Sequence, residues 1–219
     1  MDDSQSIDLA AMLCSRLCHD MLSPVGALNN GLELLAMEDD QEMRKSVIAL
    51  LEQSATTSTN KLKFFRLAFG AAGGFGDRVD VTEPKALINA LAQDKNNVEI
   101  NWAIESGNLA KPAVKVLLNF AQIALDALVR GGTLDIGVEV RQGNCEIVVR
   151  GTGPRIGFDE SIGKALDGSL DRAQISSRTA AAHMIRLLAE QSGGGLQYAR
   201  TDETLVLGAI LPEPEGLIG

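Results

Sequence analysis

Aromatic side chains are scarce in this sequence: six Phe, one Tyr and one Trp among 219 residues. So few rings cannot stack successive bases, which argues against a single-strand nucleic-acid platform. Basic residues are also outnumbered, 20 Lys and Arg against 29 Asp and Glu, for a formal charge of −9. A field of that sign repels phosphate backbones. Histidine is limited to His19 and His183, and cysteine to Cys14, Cys18 and Cys145. Three thiols make no disulfide framework; they read as small apolar residues of a reducing cytoplasm. The two histidines hold no ligand spacing, so no metal site is expected. No run reaches the ~18 apolar residues of a membrane span. The acidic start MDDSQSID is the opposite of a secretory leader. The expected location is the cytoplasm.

What is present suffices for a folded core: 45% of residues are hydrophobic and 22% charged. The first 70 residues read as two long helices. One apolar seam runs Cys14, Cys18, Met21, Val25, Leu28, Leu32, Leu35 in alternating steps of four and three. A second runs Ile48, Leu51, Ala55, Ser58, Leu62, Phe65, Phe69. Apolar residues outside these seams (Leu13, Leu17, Val47, Leu50, Phe64) are more than a lone hairpin covers. A dimeric four-helix bundle is therefore expected. Gly70 to Gly76 is rich in glycine and reads as a linker rather than a phosphate cradle, because a helix and not a strand precedes it.

Residues 77–219 read as a second, α/β unit, against 1–72 for the helical one. Pro84 starts a helix over about 83–93, with Thr82 as its cap. Val98, Ile100, Trp102 and Ile104 alternate as a half-buried strand. A helix is expected from Lys111 to Arg130. A hairpin follows, turning at Gln142-Gly143-Asn144. Another helix runs from Ser177 to Gln191, and two strands cover 196–200 and 204–211. The fold class is thus α+β: a helical hairpin followed by a two-layer α/β sandwich with a mainly antiparallel sheet.

The sharpest local feature is His19-Asp20-Met21-Leu22-Ser23-Pro24. In the seam's frame Cys18 and Met21 face inward, so His19 and Asp20 point to solvent. A neutral imidazole is a nucleophile, and an adjacent carboxylate fixes the tautomer that leaves one nitrogen free. Pro24 offers no amide proton to the Asp20 carbonyl and is expected to kink the helix one turn past the histidine. Ser23, Ala27 and Asn30 continue the His19 face. Those small residues let another domain approach.

His19-Asp20-x-x-Ser23-Pro24 resembles the H-box of histidine kinases. The remainder is similar to the kinase ATP-binding domain in element order and in the helix LLNFAQIALDAL. Across nearly all of its length the chain resembles the ChpT family of histidine phosphotransferases, sharing RLCHD, FFRLAFG and LNFAQIALDAL. The resemblance implies that His19 accepts a phosphoryl group, with Asp20 and Ser23 assisting and with Leu22, Ala27 and Asn30 in partner docking. It implies a cytoplasmic homodimer in a two-component phosphorelay of cell-cycle regulation. The partners it implies are receiver domains of a CckA-like hybrid kinase and of CtrA-like and CpdR-like response regulators. Any Mg²⁺ would be carried by the receiver, and no cofactor by this chain.

Departures from a kinase are specific. Asn119 matches the first asparagine of the kinase metal box and reads here as a surface or capping amide. Ile123 stands where the Mg²⁺ ligand belongs, and an alkyl group cannot coordinate a metal that demands oxygen. Gly151-Thr152-Gly153-Pro154-Arg155 lacks the adenine-binding aspartate, and no lid box is recognisable near Ser176-Ser177-Arg178. These features weigh against an ATP-dependent kinase that has lost its sensor. A non-enzymatic scaffold that sequesters receivers is the other alternative. His183 is expected to be structural.

Overall fold

A computed structural model of the chain describes residues 3–70, 78–93, 95 and 97–213. Helix α1 (Asp3–Met37) and helix α2 (Gln41–Phe69) form an antiparallel hairpin. The turn between them is closed from both ends. Asp40 caps α2 by accepting from the Met43 N–H at 2.9 Å. The Arg44 guanidinium donates to the Leu35 and Glu38 carbonyls at 2.8 and 2.7 Å, satisfying the orphan end of α1. The helices come close at Gly31, where a Cβ would lie 2.8 Å from Leu51 Cδ2.

The hairpin contact keeps part of the expected seams and shifts the rest by one position. It runs through Leu13, Leu17, Pro24 and Gly31 on α1, and through Val47, Ser54, Ser58 and Phe65 on α2. Cys14, Cys18, Val25 and Leu32 are exposed, and so are Ile48 and Leu62. Of the residues expected outside, Val47 and Phe64 are buried, Leu13 and Leu17 half-buried, and Leu50 exposed. Within the expected stripes Met21, Leu28, Leu35, Leu51 and Phe69 are half-buried and Ser58 and Phe65 buried, so a single hairpin leaves bare only part of each. Gly31, Ser54 and Ser58 are buried beside the larger residues and let the two backbones approach.

Strand β1 (Arg78–Asp80) pairs with β3 (Asn108–Ala110). Between them lie helix α3 (Thr82–Gln93) and strand β2 (Val98–Ile104). Helix α4 (Lys111–Ala127) leads into the hairpin β4 (Gly132–Arg141) and β5 (Asn144–Thr152). Gln142 and Gly143 turn that hairpin at φ 51° and 76°, the left-handed pair a tight two-residue loop requires. Helices α5 (Glu160–Asp167) and α6 (Ala180–Gln191) precede β6 (Gly195–Arg200) and β7 (Thr204–Pro212). The five-stranded sheet has the order β2-β4-β5-β7-β6, with only β2 and β4 parallel. This is the expected α+β class.

One sheet face buries Leu134, Ile136, Val138, Ile147, Val149, Leu205 and Leu207 beneath α4 and α6. Helix α4 is buried nearly all round, since it also meets α2 and α3. The last turns of α2 (Phe64, Phe65, Leu67, Ala68) join this same core. The hairpin is thus packed onto the sandwich rather than hung beside it.

Some element ends differ from expectation. Helix α4 stops at Ala127, because Gly131 and Gly132 are already turning into β4 at φ 77° and 139°. Helix α6 begins at Ala180, after a loop in which Thr179 Oγ1 accepts from the Ser176 N–H at 3.0 Å. Helix α5 was not anticipated; eight residues carry too few turns for a visible period, and it is the Asp159 cap that starts it. At α3 the capping side chain is Asp80, which accepts from both the N–H and the hydroxyl of Thr82. The linker assigned to Gly70–Gly76 lies outside the described residues except for Gly70.

Cys145 faces the core, and burial, with Glu213 adding to it, pushes its thiol up to about 11. At pH 8 it stays a thiol, and only the thiolate reacts. Cys145 is therefore expected to resist a maleimide under native conditions and to react once urea unfolds the chain. Rapid native labelling, mapped to Cys145 by peptide mass, would contradict this burial.

Candidate functional site

His19 sits mid-helix on α1 with its side chain 87% exposed. Its Nδ1 lies 3.2 Å from Asp20 Oδ1. An ionised carboxylate only accepts, so in the tautomer that makes this hydrogen bond Nδ1 carries the proton and Nε2 keeps its lone pair free. Asp20 is not wholly in solvent, as the seam frame had it; its side chain is 33% exposed and lies 3.8 Å from Arg16 Nε, one turn earlier. The geometry is that of an oriented, accessible nucleophile beside a held carboxylate.

Pro24 is buried inside α1, and the helix runs on through it as one element to Met37. The hydrogen bond it denies to the Asp20 carbonyl is replaced. Lys61 Nζ reaches across from α2 and donates to that oxygen at 3.3 Å.

His19 and Asp20 stand at the edge of a cleft of about 780 Å³ between the hairpin and the sandwich. Arg16, Lys61, Lys95, Gln122, Asp126, Asp159 and Arg178 line it with polar groups, and Phe64, Phe65, Ile123, Phe158 and Ile162 with apolar ones. Asp126 ties the walls together. Lys95 Nζ donates to its Oδ1 and Gln122 Nε2 to its Oδ2, both at 2.9 Å, and Arg16 approaches from α1 at 3.9 Å. On the opposite wall Asp159 is held below the usual carboxylate range, first by the Ser161 hydroxyl and amide and then by Arg178. Arg178 Nη1 lies 3.0 Å from Asp159 Oδ2. Among the described residues, no group of three or more His, Cys, Asp and Glu side chains could hold a metal ion.

The expected site residues divide between two surfaces. His19 and Asp20 border the cleft. Ser23 and Asn30 are exposed and Ala27 half-buried on α1, Leu22 is 70% exposed, and none of the four lines the cleft. Asn119 is corrected: it is buried on α4, and its amide donates to the Lys115 carbonyl at 2.8 Å. Ile123 turns into the cleft. His183 is half-buried on α6 and does not line the cleft; burial, with Arg186, lowers its pKa. Sequence reasoning missed Arg16, Lys61, Asp126, Asp159 and Arg178. Only Asp126 had a signal, since it continues the face of Ile123 one turn on.

Comparison with known proteins gives a consistent set. Residues 81–204 match the family model described as "Histidine phosphotransferase C-terminal domain". The chain is 32% identical over 204 residues to "Protein phosphotransferase ChpT" of Brucella abortus (strain 2308), covering 93% of this chain and 96% of that protein. A solved structure titled "1.7 Angstrom Structure of a Bacterial Phosphotransferase" superposes with a TM-score of 0.80 at 32% identity, over 93% of this chain and 96% of that one. No described helix is long and apolar enough to cross a membrane.

Proposed function

The chain belongs to the histidine phosphotransferase family, and from that premise we propose that it relays a phosphoryl group between receiver-domain aspartates through His19, without using ATP. The observation that carries this reading is the exposed His19 imidazole with Nδ1 held 3.2 Å from the Asp20 carboxylate.

The transfer needs no proton movement. Nε2 attacks the phosphorus of a receiver's aspartyl phosphate, the N–P bond forms, and the P–O bond to the aspartate breaks. The receiver carboxylate leaves as an anion. Nδ1 keeps its proton, and the Asp20 carboxylate that accepts from it stabilises the cationic ring that results. The reverse steps deliver the group to a second receiver. A loose phosphoryl transition state asks mainly for in-line positioning and charge neutralisation. The receiver's own Mg²⁺ supplies much of that charge. Ser23, one turn beyond His19, is placed to hydrogen-bond near the phosphoryl group, and Leu22, Ala27 and Asn30 to meet the receiver.

Two further parts of the reading follow from placement. Residues 1–72 serve as the phosphotransfer and dimerisation unit, and 77–219 as a degenerate ATPase-like unit. The exposed stripes of Cys14, Cys18, Val25 and Leu32 on α1 and of Ile48 and Leu62 on α2 pack against a second copy to complete a four-helix bundle. Light scattering at micromolar concentration is expected to give the mass of two chains; a one-chain mass would sink the dimer. Against ATP stands Ile123, whose alkyl group occupies the cleft wall.

The test is transfer from a receiver domain carrying ³²P on its aspartate. Label is expected to move to this chain in an acid-labile, base-stable linkage, and Mg-ATP titrated alone is expected to give no saturable heat. Label that stays on the receiver, or autophosphorylation from ATP, overturns the proposal.

A further inference from the structure

Pro24 leaves the carbonyl of Asp20 without its helical donor, on the turn that presents His19. That turn is also the one that must hold the imidazole and carboxylate in register, 3.2 Å apart. An unpaired carbonyl there would let the Asp20 peptide tilt outward. The structure supplies a donor from elsewhere, the Lys61 ammonium of α2, at 3.3 Å. Pro24 is buried on α1, and it is α2 that reaches the acceptor.

We propose that Lys61 is a positioning residue for phosphoryl uptake: its ammonium stands in for the amide proton that Pro24 lacks and fixes the Asp20 peptide, and with it the His19–Asp20 pair. This deepens the phosphotransfer reading and rests on it. The role differs from a phosphate-binding or receiver-docking lysine in one checkable way. It exists only because residue 24 is proline.

That makes it a double-mutant question. Pro24→Ala restores an N–H four residues after Asp20, within an otherwise regular helix. Lys61→Met keeps the length and packing of the side chain but removes the donor. Uptake is measured from a phosphorylated receiver and, free of any docking, from phosphoramidate. In the natural background Lys61→Met is expected to lower the maximal rate about tenfold with either donor. The receiver concentration at half-saturation stays unchanged. Lys61→Arg, which retains a donor, recovers most of the rate. In the Pro24→Ala background the same Lys61→Met change costs less than about twofold.

Melting temperature provides a second arm that needs no activity. Lys61→Met is expected to lower it in the Pro24 background and to leave it unmoved beside Pro24→Ala. Equal losses in both backgrounds overturn the proposal, as does a change confined to half-saturation, which would mark a docking lysine. If no variant, nor the natural chain, accepts phosphoryl from either donor, the phosphotransfer reading fails. The melting cycle then still decides whether Lys61 replaces the missing proton.

Discussion

In a His19→Gln variant, phosphoryl uptake from a phosphorylated receiver falls by at least about 10³-fold, the scale of losing a nucleophile, while the fold is unchanged. The fold is spared because the His19 side chain is 87% exposed and its one side-chain partner is its neighbour Asp20. The graded companion is Asp20→Asn, for which a loss of about 10²-fold is expected, the lower end of what an oriented acid–base group contributes. The amide removes the negative charge that stabilises the ring cation. It can also turn its NH₂ toward Nδ1 and so select the tautomer whose Nε2 carries the proton and cannot attack. Rapid quench with the labelled receiver separates the variants, and circular dichroism checks the fold. An Asp20→Asn protein as fast as the parent would mean that the carboxylate is incidental. A His19→Gln protein that still takes label would move the acceptor elsewhere.

Gly132→Ala carries the largest expected effect on stability, roughly 3–5 kcal/mol from backbone strain and overpacking together. Gly132 opens β4 at φ 139°, and a Cβ there would lie 2.1 Å from the Thr152 carbonyl oxygen and 2.9 Å from Gly153 Cα. Both are backbone atoms, one in the last residue of β5, the strand paired with β4, and the other in the residue after it, so neither yields without moving the sheet. The Gly132 N–H is also committed, to the Asn97 carbonyl at 2.9 Å. Gly143→Ala is the control. It has φ 76° but nothing within 4 Å of a Cβ, so only the left-handed penalty of about 1–2 kcal/mol applies. Urea unfolding of the two variants is expected to place Gly132→Ala well below Gly143→Ala; equal midpoints would refute the backbone clash. A loss of this size is a large share of the roughly 5–15 kcal/mol that holds a domain together.

Gly132 stands two residues past the helix expected to end at Arg130, but the close approach that demands glycine there comes from the Thr152 carbonyl, 20 positions away. The His19-Asp20 pair was legible because its two members are adjacent in the chain. Lys61 was not, since its partner is a main-chain oxygen on another helix, and a backbone atom leaves no residue type to read. Asn119 reads as a surface or capping amide because helical position alone does not say that α2, α3, α6 and the sheet enclose α4 on every side.

The sequence by itself determined the two long helices, the alternating strands of the sheet, the hairpin at Gln142-Gly143 and the His19-Asp20 pair with its proline one turn on. Each is written in a local period or a contiguous motif, where intrinsic geometry decides. Only the tertiary structure decided which stripe of the helical hairpin faces inward. Cys14, Cys18, Val25, Leu32, Ile48 and Leu62 of the expected stripes stay bare, and burial falls instead at Pro24, Gly31 and Ser54, residues that a hydrophobic pattern does not count. It also decided that Arg16, Lys95, Gln122 and Asp126 meet across one cleft beside His19. Periodicity fixes that a helix has an apolar face, but the neighbour that covers it, and the charges that meet across it, depend on contacts between distant parts of the chain.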